Sequence, residues 1–189
     1  MKPPGRSAEV RIIGGQWKRS KLPVPDRPGL RPTPDRVRET LFNWLGQDLT
    51  GWRCLDAFAG SGALGFEAGS RGAAEVLLLE RDAALVRGLK AAQQRLQAVA
   101  LRIEQADAIA WMSRGAPACF DLVFLDPPFD AGLFEAALRA AKPLLTSEGA
   151  IYLEAPEAWS DERLAPWGLR LVKHGHAGAV HFHLLQRNN

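Results

Sequence analysis

An α/β fold with a doubly wound, mostly parallel sheet is predicted by three features of this 189-residue chain. From residue 52 onward, short segments rich in Val, Leu and Ile alternate with helical segments, which is typical of a parallel sheet covered on both faces. A glycine-rich turn follows the first of these strands, at the edge where such sheets bind ligands. Residues 169–187 break the alternation and predict an antiparallel hairpin at the edge of the sheet.

The segment before this pattern is predicted to form a small β-hairpin followed by a helix. Residues 10–13 and 16–22 are the predicted strands, joined by a Gly-Gly turn at 14–15. Thr33 is the predicted N-cap of the helix, and Pro34 occupies its first position. Apolar residues recur at helical spacing after Pro34, so we expect this helix to pack against the core.

The elements of the main sheet follow in regular order. The predicted parallel strands are residues 53–59, 76–80, 101–107, 121–126 and 150–155. The predicted helices run from the glycine turn to about residue 71, over 82–98 and over 131–143. Two strands within 169–187, joined by a Gly-containing turn, complete the sheet. The crossovers between parallel strands are expected to be right-handed.

Composition is that of a globular protein with a substantial core, with 47% hydrophobic and 24% charged residues. No apolar run reaches the ~18 residues of a membrane span, and the N-terminus lacks the pattern of a signal peptide. Cys54 and Cys119 lie in apolar segments and are expected to be free thiols in a reducing compartment. We therefore expect a cytoplasmic monomer that needs neither a disulfide nor a metal.

The formal net charge of +3 is unevenly distributed. Residues 1–38 contain ten basic and three acidic residues, whereas the remainder contains 14 basic and 18 acidic ones. A basic arm on a slightly acidic body is typical of a protein that docks on a polyanion. We divide the chain into a basic arm with the hairpin, residues 1–30, and a main domain, residues 31–189. The candidate contacts to nucleic acid are Arg11, Lys18, Arg19, Lys21, Arg27, Arg31, Arg36 and Arg38.

The turn FAGSGALG at 58–65 has the G-x-G-x-x-G pattern of an adenosine-bearing cofactor site. Glu80 follows Gly60 by 20 residues, where an acid can bind ribose hydroxyls, and Asp107 is placed to accept from an adenine amine. These features fit NAD and S-adenosylmethionine almost equally well. Asp56 favours the second, because a carboxylate repels a pyrophosphate and attracts a sulfonium and an ammonium.

The motif Asp126-Pro127-Pro128-Phe129 at the end of the fourth parallel strand predicts the chemistry. Two prolines remove two N–H donors and leave acceptors. If the Asp126 carboxylate and the Pro127 carbonyl both accept from the exocyclic amine of a base, the nitrogen lone pair becomes available to a methyl donor. Phe129 can stack on the base. Catalysis would then consist of positioning and polarisation.

The motif resembles the D/N-P-P-Y/F signature of amino-methyltransferases that act on nucleic acids. With the blocks at 11–25, 29–45, 54–68 and 123–129, nearly the whole chain resembles the bacterial 16S rRNA guanine-N2 methyltransferases of the RsmD type. The resemblance implies a class I methyltransferase (Rossmann-like) fold and S-adenosylmethionine as the methyl donor. It also implies one guanine of 16S rRNA as the target, in the small ribosomal subunit or its assembly intermediate.

Roles for individual residues follow from this resemblance. Asp126, Pro127, Pro128 and Phe129 would hold the target base, with Asp56, Gly60 and Gly62 at the methionine end of the cofactor, Glu80 at its ribose and Asp107 near its adenine. Thr33, in the Arg31-Pro32-Thr33 block, would lie close to the cofactor cleft. Phe58 and Ala108 complete the candidate cofactor residues. The target base must leave its stack to reach the cleft.

Three alternatives remain open at this point. An adenine-N6 DNA methyltransferase shares the motif, although no residues remain for a sizeable target-recognition domain. An NAD-dependent oxidoreductase shares the glycine turn, and a non-catalytic RNA-binding assembly factor shares the basic arm. All four histidines lie in the tail, and zinc binding by His174, His176, His181 and His183 is weaker as an interpretation than their placement on the surface of an edge strand.

Overall fold

Nine strands and six helices make up residues 8–188, the part of the chain that this computed structural model describes. The strands are β1 (Ala8–Arg11), β2 (Lys21–Val24), β3 (Arg53–Asp56), β4 (Glu75–Glu80), β5 (Leu101–Gln105), β6 (Phe120–Leu125), β7 (Leu145–Ala155), β8 (Leu169–Ala177) and β9 (Val180–Arg187). The helices are α1 (Asp35–Trp44), α2 (Ala63–Ser70), α3 (Ala83–Arg95), α4 (Ala108–Arg114), α5 (Phe134–Ala141) and α6 (Asp161–Leu164). Two short 3₁₀ turns lie at Lys142–Leu144 and Ala165–Trp167.

The main sheet has seven strands in the order β5-β4-β3-β6-β7-β9-β8. The five strands from β5 to β7 are parallel, and β9 and β8 are antiparallel to their neighbours. Helices α1 to α3 contribute to the apolar core on one face of the sheet, and α4 to α6 to the core on the other. The predicted α/β fold with an antiparallel edge hairpin is confirmed. Since the strand order reverses between β3 and β6, their carboxyl ends border the crevice where such sheets bind ligands.

The N-terminal hairpin is present, but the predicted Gly-Gly turn is wrong. The ladder pairs Ala8 with Val24 and Arg11 with Lys21, so that residues 12–20 form the connecting loop. The N–H groups of residues 13 and 14 donate to the carboxylate of Glu67 in α2, both at 2.9 Å, instead of to a second strand. Trp17 and Arg19, which the predicted second strand included, therefore lie in the loop.

Apolar side chains anchor this hairpin to the main domain. Val10, Ile12, Leu22 and Val24 are at most 5% exposed and belong to the core that α1 and α2 also line. The division of the chain at residue 30 stays a prediction.

Smaller differences concern the ends of strands. β3 ends at Asp56, since the chain turns at Ala57 and Phe58 toward the glycine residues, and β7 begins at Leu145, before the predicted 150. Both cysteines are free thiols. The longest helix, α3, has 13 residues, and no helix within 8–188 is long and apolar enough to span a bilayer.

Gly65 provides a test of how closely α2 packs on the sheet. A Cβ at this position would lie 2.8 Å from Leu78 Cδ2 and 3.0 Å from Asp56 Oδ2. We expect Gly65→Ala to lower the free energy of unfolding by about 1–3 kcal/mol, because overpacking displaces a strand side chain. Urea denaturation measures the change.

Gly88→Ala is the matched control, because Gly88 lies within α3 and a Cβ there meets nothing within 4 Å. This substitution should raise the free energy of unfolding by about 0.4–1 kcal/mol through helix propensity and a less flexible unfolded chain. Equal stability of the two variants would contradict the packing of α2 described above.

Candidate active site

Three carboxylates meet at the carboxyl edge of the central strands. Asp56 ends β3, Asp126 directly follows β6, and Glu154 lies next to the end of β7. Leu125 pairs with Leu153 in the ladder, which brings the next residues, Asp126 and Glu154, side by side. Sequence analysis predicted the first two acids and missed Glu154, although it also stands near the carboxyl end of a predicted strand.

Glu154 is the best-bonded member of this group. Its side chain is 5% exposed, and its Oε1 accepts from the Thr33 hydroxyl at 2.6 Å and from the Tyr152 hydroxyl at 2.7 Å. Its carboxylate also lies beside Asp126, in the next position of the β6–β7 ladder, and raises the pKa of that carboxyl. Burial and the adjacent Glu154 carboxylate raise the pKa of Tyr152 well above its ordinary value, so that this phenol stays a donor.

Thr33 has a different local role from the one predicted. The N-cap of α1 is Pro34, and no side chain caps the helix. The Thr33 hydroxyl turns instead toward Glu154, while its carbonyl oxygen accepts from Arg38 Nε at 3.1 Å. A direct contact between Thr33 and a cofactor stays a prediction.

Arg38 was predicted to contact RNA, and the structure contradicts this. Its side chain is fully buried, and its guanidinium pairs with Glu67 at 3.2 Å and with Asp35. It also donates to the carbonyl oxygens of Arg11 at 2.9 Å and Thr33. A charged side chain enters a core only when its donors are satisfied in this way. Arg38 therefore supports the fold from inside and does not reach a phosphate.

The glycine turn has the backbone geometry that its residues allow. Gly60 and Gly62 have φ values of 53° and 83°, in the left-handed region that glycine tolerates best. Glu80 lies directly against this turn, since its Oε2 accepts from the Gly60 N–H at 2.9 Å and its Oε1 from the Asp82 N–H at 2.9 Å. Each oxygen retains a second lone pair, so the predicted contact of Glu80 with ribose stays a prediction that the geometry permits.

A segment of the arm lies over the glycine turn. Leu30 Cδ1 is 3.0 Å from the position that a Gly60 Cβ would occupy. Arg27 Nη2 lies 3.9 Å from Asp82 Oδ1, at the start of α3. The loop that joins β2 to α1 thus covers the turn at which the cofactor is predicted to bind.

The residues predicted near the adenine lie farther along the same edge. Asp107 caps α4 by accepting from the Ala110 N–H at 2.8 Å and is exposed. Ala108 is buried at the start of the helix, and Phe58 is partly buried against the core on that side. Their contacts with a cofactor stay predictions.

The Asp-Pro-Pro-Phe motif ends in an accessible aromatic ring. Pro127 is buried, whereas Pro128 is exposed and Phe129 is 38% exposed. The Phe129 ring centroid lies 6.1 Å from that of Phe134, which in turn lies 6.4 Å from that of Trp159. These two rings, which sequence analysis missed, support Phe129 at the surface where a base could stack.

Burial and mutual repulsion raise the pKa values of two carboxyl groups on this edge. Burial is the largest cause that raises the pKa of Asp56 to about 7, and the negative charges of Glu80 and Glu154 raise it further. Burial and the neighbouring carboxylates of Glu154 and Asp56 raise the pKa of Asp126 well above its ordinary value. A site that destabilises its own negative charge favours a ligand that brings positive charge. The carboxyl groups of this edge therefore fit a cationic ligand and disfavour a pyrophosphate.

The basic residues predicted to bind RNA fall into separate groups. Arg11 and Arg36 are exposed near the start of α1, where Arg11 pairs with Asp35, and Arg27 and Arg31 are exposed on the loop over the glycine turn. The remaining cations, Lys18, Arg19 and Lys21, lie in or next to the 12–20 loop, and Lys21 pairs with Glu9.

The 12–20 loop contacts the end of α2 that is remote from the glycine turn. This helix has eight residues, about 12 Å in length. A cavity of about 820 Å³ lies there, lined by this loop, α1 and the end of α2, and it contains none of the predicted cofactor residues.

The four tail histidines lie on the antiparallel hairpin. His174 Nε2 is 3.0 Å from His181 Nδ1, and their rings are stacked. His183 is buried, where its Nε2 accepts from the Trp159 N–H and its Nδ1 faces the Leu153 carbonyl, both at 3.0 Å. Burial lowers the pKa of His183 to about 4, so that it is neutral at pH 7. Within residues 8–188, no group of three or more potential ligands is arranged to hold a metal.

The sheet order, the glycine turn and the acidic carboxyl edge together define a protein of the class I methyltransferase fold. A solved Escherichia coli structure described as the methyltransferase yhhF superposes with a TM-score of 0.83 and 42% identity, covering 95% of this chain and 98% of that one. Ribosomal RNA small subunit methyltransferase D of Escherichia coli K12 is 44% identical over 192 residues, 99% of this chain and 96% of the relative. The protein of the same name from Haemophilus influenzae is 42% identical, covering 97% and 96%.

Residues 10–186 match a family model described as conserved hypothetical protein 95. The chain belongs to this family, which includes the ribosomal RNA small subunit methyltransferases D. The resemblance to the RsmD type is thereby confirmed, and both of these relatives are methyltransferases of small-subunit rRNA by name.

Asp56 gives a pH-dependent test of the acidic edge. Because its pKa is about 7 when folded and near 3.8 otherwise, stability is greatest when it is protonated and falls as the pH rises from about 4 through 7. We expect Asp56→Asn to be more stable than the wild type at both pH values. This difference in the free energy of unfolding should be about 1–3 kcal/mol larger at pH 8 than at pH 5. Urea denaturation at both pH values measures this difference.

Asp26→Asn, at an exposed position of the arm, measures the effect of removing one surface charge. A stability difference between Asp56→Asn and the wild type that is the same at pH 5 and pH 8 would show that Asp56 is not protonated in the folded protein.

Proposed function

We propose that the protein transfers a methyl group from S-adenosylmethionine to the exocyclic N2 of a guanine in 16S rRNA of the small ribosomal subunit. One observation carries the proposal: Asp126-Pro127-Pro128-Phe129 lies at the same sheet edge as Asp56 and the glycine turn. Membership of the rRNA methyltransferase family supports the class of substrate.

The acidic edge supports S-adenosylmethionine as the donor. Its sulfonium and ammonium would relieve the repulsion that raises the pKa of Asp56, and they would be attracted to its ionised form. Gly60 and Gly62 allow close approach of the backbone, Glu80 would bind ribose, and Asp107 would lie near adenine. When bound, the cofactor supplies an electrophilic methyl group.

The base site is built to accept hydrogen bonds. Asp126 offers a carboxylate, and the two prolines that follow it have no N–H. The Watson–Crick edge of guanine presents N1–H and N2–H side by side, and a carboxylate complements both donors. The target base must first leave its RNA helix before it can enter the cleft. Phe129 would then stack on the base.

Exposed cations would bind the phosphates around the target. Arg11, Arg27, Arg31 and Arg36 lie near the start of α1 or on the loop over the glycine turn, and each phosphate contact adds salt-dependent affinity. We propose that the protein acts as a cytoplasmic monomer on the small subunit or its assembly intermediate.

Product identification tests the function. Purified protein and labelled S-adenosylmethionine are incubated with small-subunit particles lacking the modification, with naked 16S rRNA or with DNA, and the digested nucleosides are identified by mass spectrometry. We expect N2-methylguanosine from the ribosomal substrate. Asp126→Ala should lower kcat by about 10²–10³-fold, because it removes the oxygen atoms that accept from the amine.

Asp130→Ala, in the same loop and exposed, is the matched control and should behave as the wild type. N6-methyladenine in DNA would replace the proposal with the adenine-N6 alternative. RNA binding without transfer by the wild type would favour a non-catalytic assembly factor, and calorimetric binding of NAD without binding of S-adenosylmethionine would favour an oxidoreductase.

A further inference from the structure

We propose that the paired imidazoles of His174 and His181 bind a backbone phosphate of the RNA strand that carries the target base, with uptake of one proton from solvent. The inference rests on the proposed function and deepens it, because it places part of the RNA on the hairpin of β8 and β9. Neither the Asp-Pro-Pro-Phe motif nor the basic arm includes this hairpin.

The turn of this hairpin lies at the carboxyl edge of the sheet, where the base site also lies. β9 is antiparallel to β7 and begins at this edge, with His181 opposite Ala155, the last residue of β7. β7 in turn pairs with β6, which Asp126 follows. Neighbouring strands are about 4.8 Å apart, so His181 lies about 10 Å and His174 about 14 Å from β6, two and three strands away. An RNA strand that delivers a base to Asp126 covers such a distance within a few nucleotides.

The histidines also lie on the same face of the sheet as the aromatic rings beside the base site. The Phe129 ring contacts that of Phe134, and the Phe134 ring contacts that of Trp159. The N–H of Trp159 donates to His183, whose ring centroid lies 4.9 Å from that of His174. A continuous row of rings thus connects Phe129 with the proposed phosphate site.

The outer pair of imidazoles differs from the buried His183 in its capacity to take up a proton. Nε2 of His183 accepts from the Trp159 N–H, so its hydrogen lies on Nδ1, which donates to the Leu153 carbonyl. Both nitrogens are therefore occupied, and with a pKa of about 4 this ring stays neutral. His174 is exposed, and its Nε2 lies 3.0 Å from Nδ1 of His181. One nitrogen of each of these two rings lies outside their shared hydrogen bond.

One added proton changes what this pair offers to a ligand. In the neutral pair one ring donates its N–H to the other, so that a single one of the two outer nitrogens carries a hydrogen. With one more proton the central hydrogen bond is kept, and both outer nitrogens become N–H donors that share one positive charge. A phosphodiester has one negative charge and two acceptor oxygens, which match this arrangement. Binding therefore takes up one anion and one proton, and the net charge of the site does not change.

The groups around the pair also favour an anion. His176 of β8 lies against the pair, and Arg163 of α6 faces the buried member of the cluster. Arg163 is bonded to Glu157, and the carboxylate of Asp161 on α6 accepts a backbone N–H of β8 instead. Burial is the largest cause that lowers the pKa of His174, and the neighbouring imidazoles lower it further. A bound phosphate counters this repulsion between imidazoles, so that RNA favours the protonated pair.

NMR titration of the histidine rings, with hexauridylate as the RNA probe, tests the site without an activity assay. We expect the ring signals of His174 and His181 to shift when hexauridylate is added to the wild-type protein. Binding is strongest while the pair holds its extra proton and weakens as the pH rises through the pKa of the pair. From pH 6 to pH 8 the affinity should therefore fall about 3–10-fold more for the wild type than for His174→Gln.

Arg170→Gln is the matched control, because it removes an exposed cation near the other end of β8. This variant should keep the pH dependence of the wild type. Ring signals of His174 and His181 that do not move, or an equal pH dependence of His174→Gln and the wild type, would overturn the inference. Inorganic phosphate at the same concentration separates RNA from free phosphate, and an equal affinity for both would overturn the assignment to RNA.

Steady-state kinetics with small-subunit particles connect the site with methyl transfer. His174→Gln should raise the KM for the particles about 3–10-fold at pH 6.5 and less at pH 8, with kcat changed less than twofold, because a remote phosphate contact contributes to binding alone. A lower kcat with an unchanged KM would contradict this role. If the wild type makes no N2-methylguanosine, the proposed function fails, whereas the hexauridylate titration still decides whether the pair binds RNA.

Discussion

The buried ion pair between Arg38 and Glu67 is the interaction on which the arrangement of this protein depends. Neither side chain is exposed, and their charged atoms lie 3.2 Å apart. Glu67 also accepts the N–H groups of Ile13 and Gly14, so that the loop of the N-terminal hairpin is held to α2. A buried charge is tolerated only while its partners are in place, and this pair therefore fixes the arm, α1 and α2 relative to one another.

The same guanidinium connects the arm with the reaction site. Arg38 donates to the carbonyl of Thr33, the Thr33 hydroxyl donates to Glu154, and Glu154 lies beside Asp126 at the ends of β7 and β6. The loop just before Thr33 covers the glycine turn through Leu30. The segment that carries the cations proposed to bind RNA is thus joined to both the predicted cofactor site and the predicted base site. Docking of RNA would therefore have a physical route to the chemistry.

The features that sequence analysis predicted correctly depend on local patterns. Runs of Val, Leu and Ile between helical segments predicted the parallel sheet, and the strand-end position of Asp56 and Asp126 placed both at one edge. These inferences succeed because strand carboxyl ends share an edge whatever the loops between them do. The resemblance to the RsmD type added the family, which the fold alone does not specify.

The errors involve contacts between residues far apart in the chain. Arg38 is a typical surface residue by type, and its burial depends on Glu67, 29 positions away. Glu154 was missed because its partner Thr33 is 121 positions away, and the same contact draws Thr33 from the predicted capping role. The Gly-Gly turn failed because side-chain acceptors on α2 compete successfully for the loop N–H groups. Spacing along a sequence does not show such pairings.

Urea denaturation of Arg38→Met and Arg36→Met tests the dependence on the buried pair most directly. The measurement compares the free energies of unfolding of the two variants. Arg36 lies on the same helix and is exposed. We expect a loss of about 3–5 kcal/mol for Arg38→Met, since Glu67 would keep only Arg71 as a cationic partner and the bonds of Arg38 to Asp35 and to the Thr33 carbonyl would be lost with it. For Arg36→Met we expect a change within about 0.5 kcal/mol. Equal stability of the two variants would contradict this dependence.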